Sequence, residues 1–282
     1  MADVAVSLRE VRAALEDLGV APRKRWGQNF LIDRNVRDFL FRQLGVEEGD
    51  RLLEVGPGLG GLTVSLVESQ AQVFAVEIDP ALCAYLEEQF AGRDNFTLLQ
   101  GDVLQVELPE ATKVVGNLPY YITSPVIFRV LEEMSPEVML FVVQREVAER
   151  LVAGPGGKDY GALSVMVQVF CRVELLRVLP PEVFYPRPRV ESAAVRFTPS
   201  PDAPDVPPWF LRRVVAAAFQ QRRKTLINSL KGSGILRLSE ADLVTALRAA
   251  GIDGRRRAES FSPADFLSLA REFLRVGAAV EK

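Results

Sequence analysis

Asn117-Leu118-Pro119-Tyr120 follows the apolar run Val114-Val115-Gly116 and lies downstream of a glycine-rich stretch, Glu54-Val55-Gly56-Pro57-Gly58-Leu59-Gly60-Gly61. A neutral amide beside an aromatic ring suits one demanding nucleophile. The exocyclic amine of adenine is weak because its lone pair is delocalised into the ring. A site that uses it must accept its N–H protons and hold the ring flat. Asn117 offers the acceptor and Tyr120 the stacking face. Taken alone, the tetrapeptide also reads as a turn with Asn and Pro in their usual roles. The glycine stretch upstream shifts the balance toward methylation of an adenine amine.

Gly56, Gly58 and Gly61 have the spacing G-x-G-x-x-G after an apolar run, and Glu77 ends the next run about 20 residues on. Glycines let a backbone approach its ligand closely, and a carboxylate at a strand end bonds ribose hydroxyls. Both a nicotinamide dinucleotide and S-adenosylmethionine meet that description. The dinucleotide gives Asn117 and Tyr120 nothing to do. S-adenosylmethionine needs a further polar residue near its adenine, and Gly101-Asp102 offers one.

The whole chain narrows the chemistry further. It has 282 residues, 48% of them hydrophobic, enough for one large domain and a smaller one. Histidine is absent, which removes imidazole bases, Ser-His-Asp triads and the commonest zinc and iron ligand sets. Cys83 and Cys171 lack metal spacing and read as buried free thiols in a reducing cytoplasm, so no metal is expected. No apolar stretch is long enough for a membrane span, and the N-terminus has no signal-peptide core; a soluble, unexported protein is expected. The net charge of −3 offers nucleic acid no general attraction, so RNA contact falls to local clusters: Arg23-Lys24-Arg25, Arg222-Arg223-Lys224 and Arg255-Arg256-Arg257. Each also reads as an ordinary solvated face.

The elements that must position these residues are visible as alternating patterns. Residues 7 to 18 predict an amphipathic helix with a capping box at Ser7 and Glu10 and a stop at Gly19. A basic, aromatic loop follows. Leu52 to Val55, Val73 to Val76, Phe96 to Leu99, Val114 to Val115 and Val138 to Val143 predict strands buried on both faces, alternating with helices, hence a mostly parallel sheet. Asp79-Pro80 predicts a helix start. Val190 to Phe197 predicts an antiparallel strand, and Pro199, Pro201, Pro204, Pro207 and Pro208 then mark a domain boundary. Trp209 to Phe219, Thr225 to Leu230, Ala241 to Ala250 and Pro263 to Val276 predict helices, the last opened by Ser262 and Asp265. The expected fold class is α/β, with residues 1–200 as a Rossmann-like catalytic domain including an N-terminal helix and basic loop at 1–32, and residues 207–282 as a small helical domain.

Eight segments in order resemble the ribosomal RNA adenine N6,N6-dimethyltransferase family, and its small-subunit branch in particular. They are R-K-R-W-G-Q-N-F-L at 23–31, L-E-V-G-P-G-L-G at 53–60, V-E-I-D at 76–79, G-D-V-L at 101–104, N-L-P-Y at 117–120, Q-R-E-V-A-E-R-L at 144–151, F-Y-P-R-P-R-V at 184–190 and R-R-K-T-L at 222–226. The resemblance implies an S-adenosylmethionine-dependent methyltransferase sheet. It also implies dimethylation of two adjacent adenosines in the hairpin loop near the 3′ end of small-subunit rRNA, linked to subunit biogenesis. It assigns the cofactor to Gln28, Asn29, Leu31, Gly56, Gly58, Glu77, Ile78, Asp102, Val103 and Asn117. Glu77 would take the ribose hydroxyls, and Ile78 and Asp102 the adenine. Asn117 and the Leu118 carbonyl would accept from the target amine, with Tyr120 and Phe184 sandwiching a base flipped from its stack. Arg23, Lys24, Arg25, Arg222, Arg223 and Lys224 would meet RNA. A monomer acting on the small ribosomal subunit is expected. The related family that methylates one large-subunit adenine shares the catalytic domain, but the helical tail fits the small-subunit branch better. A non-catalytic assembly factor would have no need of Glu77, Asp102, Asn117 and Tyr120 together. The sequence departs from the family pattern at Tyr121 and at Gln220-Gln221.

Overall fold

The computed structural model describes residues 5–200 and 204–280; Pro201, one of the prolines read as a boundary, lies outside them. In chain order the elements begin α1 (Leu8–Asp17), β1 (Phe30–Leu31), α2 (Arg34–Leu44), β2 (Arg51–Val55), α3 (Thr63–Glu68), β3 (Gln72–Glu77), α4 (Pro80–Gln89) and β4 (Phe96–Gln100). Next come β5 (Lys113–Asn117), α5 (Thr123–Glu133), β6 (Val138–Gln144), α6 (Arg145–Val152), α7 (Ala162–Phe170), β7 (Cys171–Leu179), β8 (Phe184–Tyr185) and β9 (Ser192–Pro199). The chain closes with α8 (Pro208–Phe219), α9 (Leu226–Gly232), β10 (Leu236–Arg237), α10 (Glu240–Ala249), α11 (Pro263–Arg275) and β11 (Ala279–Val280).

Seven strands form one sheet in the order β4-β3-β2-β5-β6-β9-β7, with β4 to β6 parallel and β9 antiparallel to β6. The fold is therefore the expected Rossmann-like α/β sheet. Strand order reverses between β2 and β5, so the carboxyl ends of these neighbours open a crevice where open α/β sheets bind ligands. β6 is buried from Val138 to Val143, as a strand covered on both faces must be. Val36, Leu40 and Leu44 of α2 and Leu66 and Val67 of α3 join the core under it.

The chain separates into two compact units, Met1–Ala148 with Glu174–Thr198, and Glu149–Val173 with Pro199–Lys282. The boundary inferred from prolines near residue 200 assigned residues 149–173 to the first unit. Their packing assigns them to the second. Tyr160 is fully buried, its hydroxyl donates to the Phe261 carbonyl at 2.8 Å, and its ring meets Phe219, which in turn meets Phe266. Gln168 donates to the Leu151 and Ala153 carbonyls, and α7 packs on α8 and α11. The predicted helices of the second unit appear within one or two residues of their expected ends, with Ser262 and Asp265 forming the capping box of α11. At α1 the predicted box is altered: Ser7 Oγ accepts from Glu10 N, while the Glu10 carboxylate accepts from Val6 N.

Candidate active site

A cavity of about 380 Å³ opens at the carboxyl ends of β2, β3 and β5. Each wall follows from a local feature of the sequence. β2 ends in Val55, and Gly56 and Gly58 turn the chain with φ of 70° and 60°, conformations that L side chains rarely adopt. A Cβ on Gly58 would also stand 3.0 Å from the Phe30 ring. β3 ends in Glu77, whose carboxylate accepts from Gly58 N at 3.1 Å and from Ile78 N and Asp79 N, each at 2.9 Å. Burial pushes the Glu77 carboxyl up, and the three amides pull it back. After β4, Asp102 Oδ1 accepts from Leu104 N at 2.9 Å, fixing a tight turn. Arg129 of α5 donates to the Val103 carbonyl and, at 2.7 Å, to that of Val106, holding the turn in place.

Gly116 lets β5 lie close to β2, since a Cβ there would stand 2.6 Å from the Val55 carbonyl oxygen. Asn117 thus reaches the cavity at the end of β5, and its Nδ2 donates to the Asn29 carbonyl at 2.7 Å. Only the amide nitrogen can serve a carbonyl, so Oδ1 is left as an acceptor. Leu118 is buried and its N–H donates to the Val142 carbonyl at 3.0 Å. The half-buried Tyr120 shares a 3.0 Å hydroxyl contact with Ser192 Oγ; burial raises its pKa and Ser192 lowers it.

The ten residues expected to hold a cofactor, Gln28, Asn29, Leu31, Gly56, Gly58, Glu77, Ile78, Asp102, Val103 and Asn117, all line this one cavity. The target-base residues divide. Asn117 lies in the wall, whereas Tyr120 and Leu118 adjoin it by sequence and Phe184 is only 2% exposed. Phe184 belongs to the sheet's core cluster, held there because β8 pairs antiparallel with β1, Phe184 opposite Leu31. An open sandwich of Tyr120 and Phe184 around a base is therefore not present: the second ring is spent in the core.

Other lining residues carry no role read from the sequence, among them Trp26, Glu54, Pro119 and Tyr121. Glu54 has the sharpest chemistry. It is buried, accepts from Thr63 Oγ1 at 2.7 Å, and desolvation with the nearby Glu77 charge raises its pKa to about 7. An acidic residue two places before the first glycine of the turn was the available signal. Tyr121 is 58% exposed at the rim, which burial patterning cannot mark as a site.

The basic clusters have their own geometry. Arg23 and Arg25 place their guanidiniums 4.7 and 4.4 Å from the centre of the Trp26 ring. Lys24 opens the 3₁₀ turn of this loop. In the second unit, Leu226 N donates to the Arg256 carbonyl and Ile227 N to the Gly254 carbonyl, which sets the turn of Arg222, Arg223 and Lys224 beside that of Arg255 to Arg257. These six are exposed. Arg222 also donates to the Lys158 and Tyr160 carbonyls, and Arg255 pairs with Asp253, so part of this charge is committed internally. No cluster of metal-ligating side chains occurs among the described residues, and no helix there is long and apolar enough to cross a membrane.

Comparison with known proteins gives a consistent picture. The ribosomal RNA adenine dimethylase family matches residues 20–274. The ribosomal RNA small subunit methyltransferase A of Pseudomonas fluorescens (strain Pf0-1) is 47% identical over 88% of this chain and 92% of its own. That of Moorella thermoacetica is 42% identical over 92% and 95%. Among solved structures, a dimethyladenosine transferase from Plasmodium falciparum shares the fold with a TM-score of 0.76 at 24% identity, over 89% of this chain and 100% of that one. The 23S rRNA methyltransferase ErmE has a TM-score of 0.64 at 28% identity, over 86% and 99%. Matched over nearly its whole length, the chain belongs to the ribosomal RNA adenine dimethylase family.

Proposed function

We propose that this chain transfers methyl groups from S-adenosylmethionine to the N6 amines of two adjacent adenosines in the hairpin loop near the 3′ end of small-subunit rRNA, as a step in subunit biogenesis. The observation that carries the reading is that one cavity is lined by Glu77, which accepts from Gly58 N, by Asp102 and by Asn117, whose amide nitrogen is engaged with Asn29 and whose oxygen is left to accept. The donor set fits the cofactor: Glu77 for ribose hydroxyls, Asp102 and Ile78 for an adenine, and the Gly56 and Gly58 backbone for a close approach. Bound there, S-adenosylmethionine supplies an electrophilic methyl group on sulfur.

The protein's part is alignment and charge placement. Asn117 Oδ1 accepts one N–H of the target amine, and the Leu118 carbonyl is assigned the other. Both favour the positive charge that builds on nitrogen as it is alkylated. A neutral amide takes no proton, and none needs to be taken: the alkylated amine is acidic enough to lose its proton to water. The absence of histidine from the chain is consistent with that. Tyr120 supplies the stacking face, while Phe184 stays in the core cluster. Arg23, Lys24, Arg25, Arg222, Arg223 and Lys224, with Arg255 to Arg257, meet RNA phosphates, which position a substrate without reading its sequence. The setting we infer from two buried free thiols is a reducing cytoplasm, with the protein acting as a monomer on the small subunit.

Incubation with isotope-labelled S-adenosylmethionine and either ribosomal subunit tests the assignment. Label is expected in RNA of immature small subunits. Label confined to large-subunit RNA would overturn it in favour of the related large-subunit activity.

A further inference from the structure

Asp79 lies two residues beyond the proposed cofactor carboxylate Glu77, and it is not part of the cavity wall. Its side chain is 2% exposed, yet it is surrounded by donors. Oδ1 accepts from Ala81 N at 3.1 Å, the ordinary work of an N-cap, here for α4. Oδ2 has no part in that cap. It accepts from Gln28 Nε2 at 2.9 Å, and Arg23 Nη1 stands 3.4 Å from Oδ1. Gln28 in turn accepts from Arg23 N through Oε1 at 2.7 Å, so the side chain bridges its own loop to the start of α4.

The loop so held is the one that reaches the cavity. Gln28 and Asn29 line it, and Gly27 sits against the tetrapeptide, where a Cβ would stand 3.1 Å from that of Pro119. At its far end the loop is fastened a second time by Asn117, which donates to the Asn29 carbonyl. Two fastenings hold it: one on the group assigned to the target base, the other on a buried carboxylate that reaches neither ligand.

We propose that Asp79 is a positioning residue for cofactor retention: through Gln28 and Arg23 it anchors the 23–29 loop on the cavity, and the time the cofactor stays bound depends on that anchor. The inference rests on the S-adenosylmethionine reading above. It adds a role beyond helix capping because Oδ1 meets Arg23 of the loop as well as the cap amide, and Oδ2, which has no part in the cap, accepts from Gln28 of the loop. Arg23 is divided between this carboxylate and the Trp26 ring, so the anchor and the loop's basic surface share a side chain.

Asp79→Ser separates the two roles, since serine is a full N-cap but has no second oxygen for Gln28. The experiment measures the dissociation rate of S-adenosylmethionine by stopped-flow tryptophan fluorescence, to which the cavity-lining Trp26 contributes, amide hydrogen exchange over residues 23–30 without ligand, and the thermal midpoint. A hydrogen bond to a charged group accounts for a change of roughly tenfold. Dissociation is therefore expected to speed up about tenfold and loop exchange to quicken, while the midpoint stays near that of the unaltered protein. Unchanged dissociation and loop exchange would overturn the proposal, whether or not the midpoint falls. A failure of the cofactor reading is told apart by the unaltered protein, which would then bind no S-adenosylmethionine before any substitution is made.

Discussion

The two halves of the candidate site are built to different degrees of readiness. In the donor half, Glu77 is bedded on three backbone amides, Asp102 closes a turn and Gly58 admits the backbone where a side chain would strike Phe30. In the acceptor half, Asn117 gives its amide to Asn29, Tyr120 shares its hydroxyl with Ser192, and Phe184 is sunk in the core. The proposed cofactor, a small and soluble one, would meet a preformed cradle. On the proposed reading, a nucleotide that leaves its stack meets groups already engaged with protein, and binding it exchanges those contacts for its own. Preorganisation is thus concentrated where the ligand is small, and adaptation where the ligand is a folded RNA.

Substitution at the junction of the halves is expected to have the largest effect. Asn117→Ala removes an oriented acceptor whose effect is felt mainly in the transition state, so single-turnover methyl transfer is expected to fall about 10²–10³-fold. Cofactor affinity by calorimetry is expected to change by only a few-fold. Full activity would take Asn117 out of the mechanism. Next in size is Glu77→Ala, which strips the donor half of its ribose acceptor. Losing hydrogen bonds to a charged group predicts a cofactor affinity weakened by roughly 10–100-fold. Tight NADH binding with none of S-adenosylmethionine would reverse the reading of that half.

Glu54 sharpens the contrast through pH. Its folded pKa of about 7 lies above the ordinary value of 4.5, so the carboxyl is favoured neutral in the fold. The stability it contributes is fully present below pH 4.5 and is lost as pH rises through about 7. Glu54→Gln keeps an acceptor for Thr63 and cannot ionise. Urea unfolding is expected to show the variant gaining on the unaltered protein by up to about 3 kcal/mol between about pH 4.5 and pH 8. Parallel stability profiles would show that Glu54 titrates normally. The smallest effects are expected on the basic turns: neutralising Arg223 or Lys224 should weaken RNA binding a few-fold and lower the salt slope by about 1 for each phosphate left without its cation. Arg222 should matter less for RNA, because it is tied to carbonyls of its own unit.

The same contrast decides what could be read from sequence. Four strands of the parallel sheet, β2, β3, β5 and β6, were legible because burial demands apolar runs; β4 was read from the same kind of run, yet it lies at the sheet edge and none of its residues is buried. Glycine turns and strand-end acidic residues marked Gly56, Gly58, Glu77 and Asp102 by spacing, whereas Gln28, Asn29, Leu31, Ile78 and Val103 followed only from the family resemblance. Helix α7 was not: Ala162–Phe170 is rich in valine and runs into β7 without a turn residue, and its helical state follows from tertiary packing and from Ser164, which accepts from Gly161 N and donates to Arg150 O. Phe184 shows a different limit. F-Y-P-R-P-R-V gives the order of residues, but the pairing of β8 with β1 decides which way the ring turns. Residues 149–173 have a proline inside the segment, Pro155, but none at its ends; Tyr160 binds the segment to the second unit through the Phe261 carbonyl, while Gln168 ties α7 back to Leu151 and Ala153 within it.

The central claim is that an adenine amine is accepted at Asn117 and methylated twice. After one transfer the remaining N–H can still be accepted by Oδ1 while the nitrogen lone pair again faces the donor. Nuclease digestion and mass spectrometry of small subunits treated with the protein and S-adenosylmethionine test this most directly. The account predicts N6,N6-dimethyladenosine at two adjacent positions, four methyl groups for each RNA. Monomethyladenosine alone, or methyl groups on any other base, would contradict it.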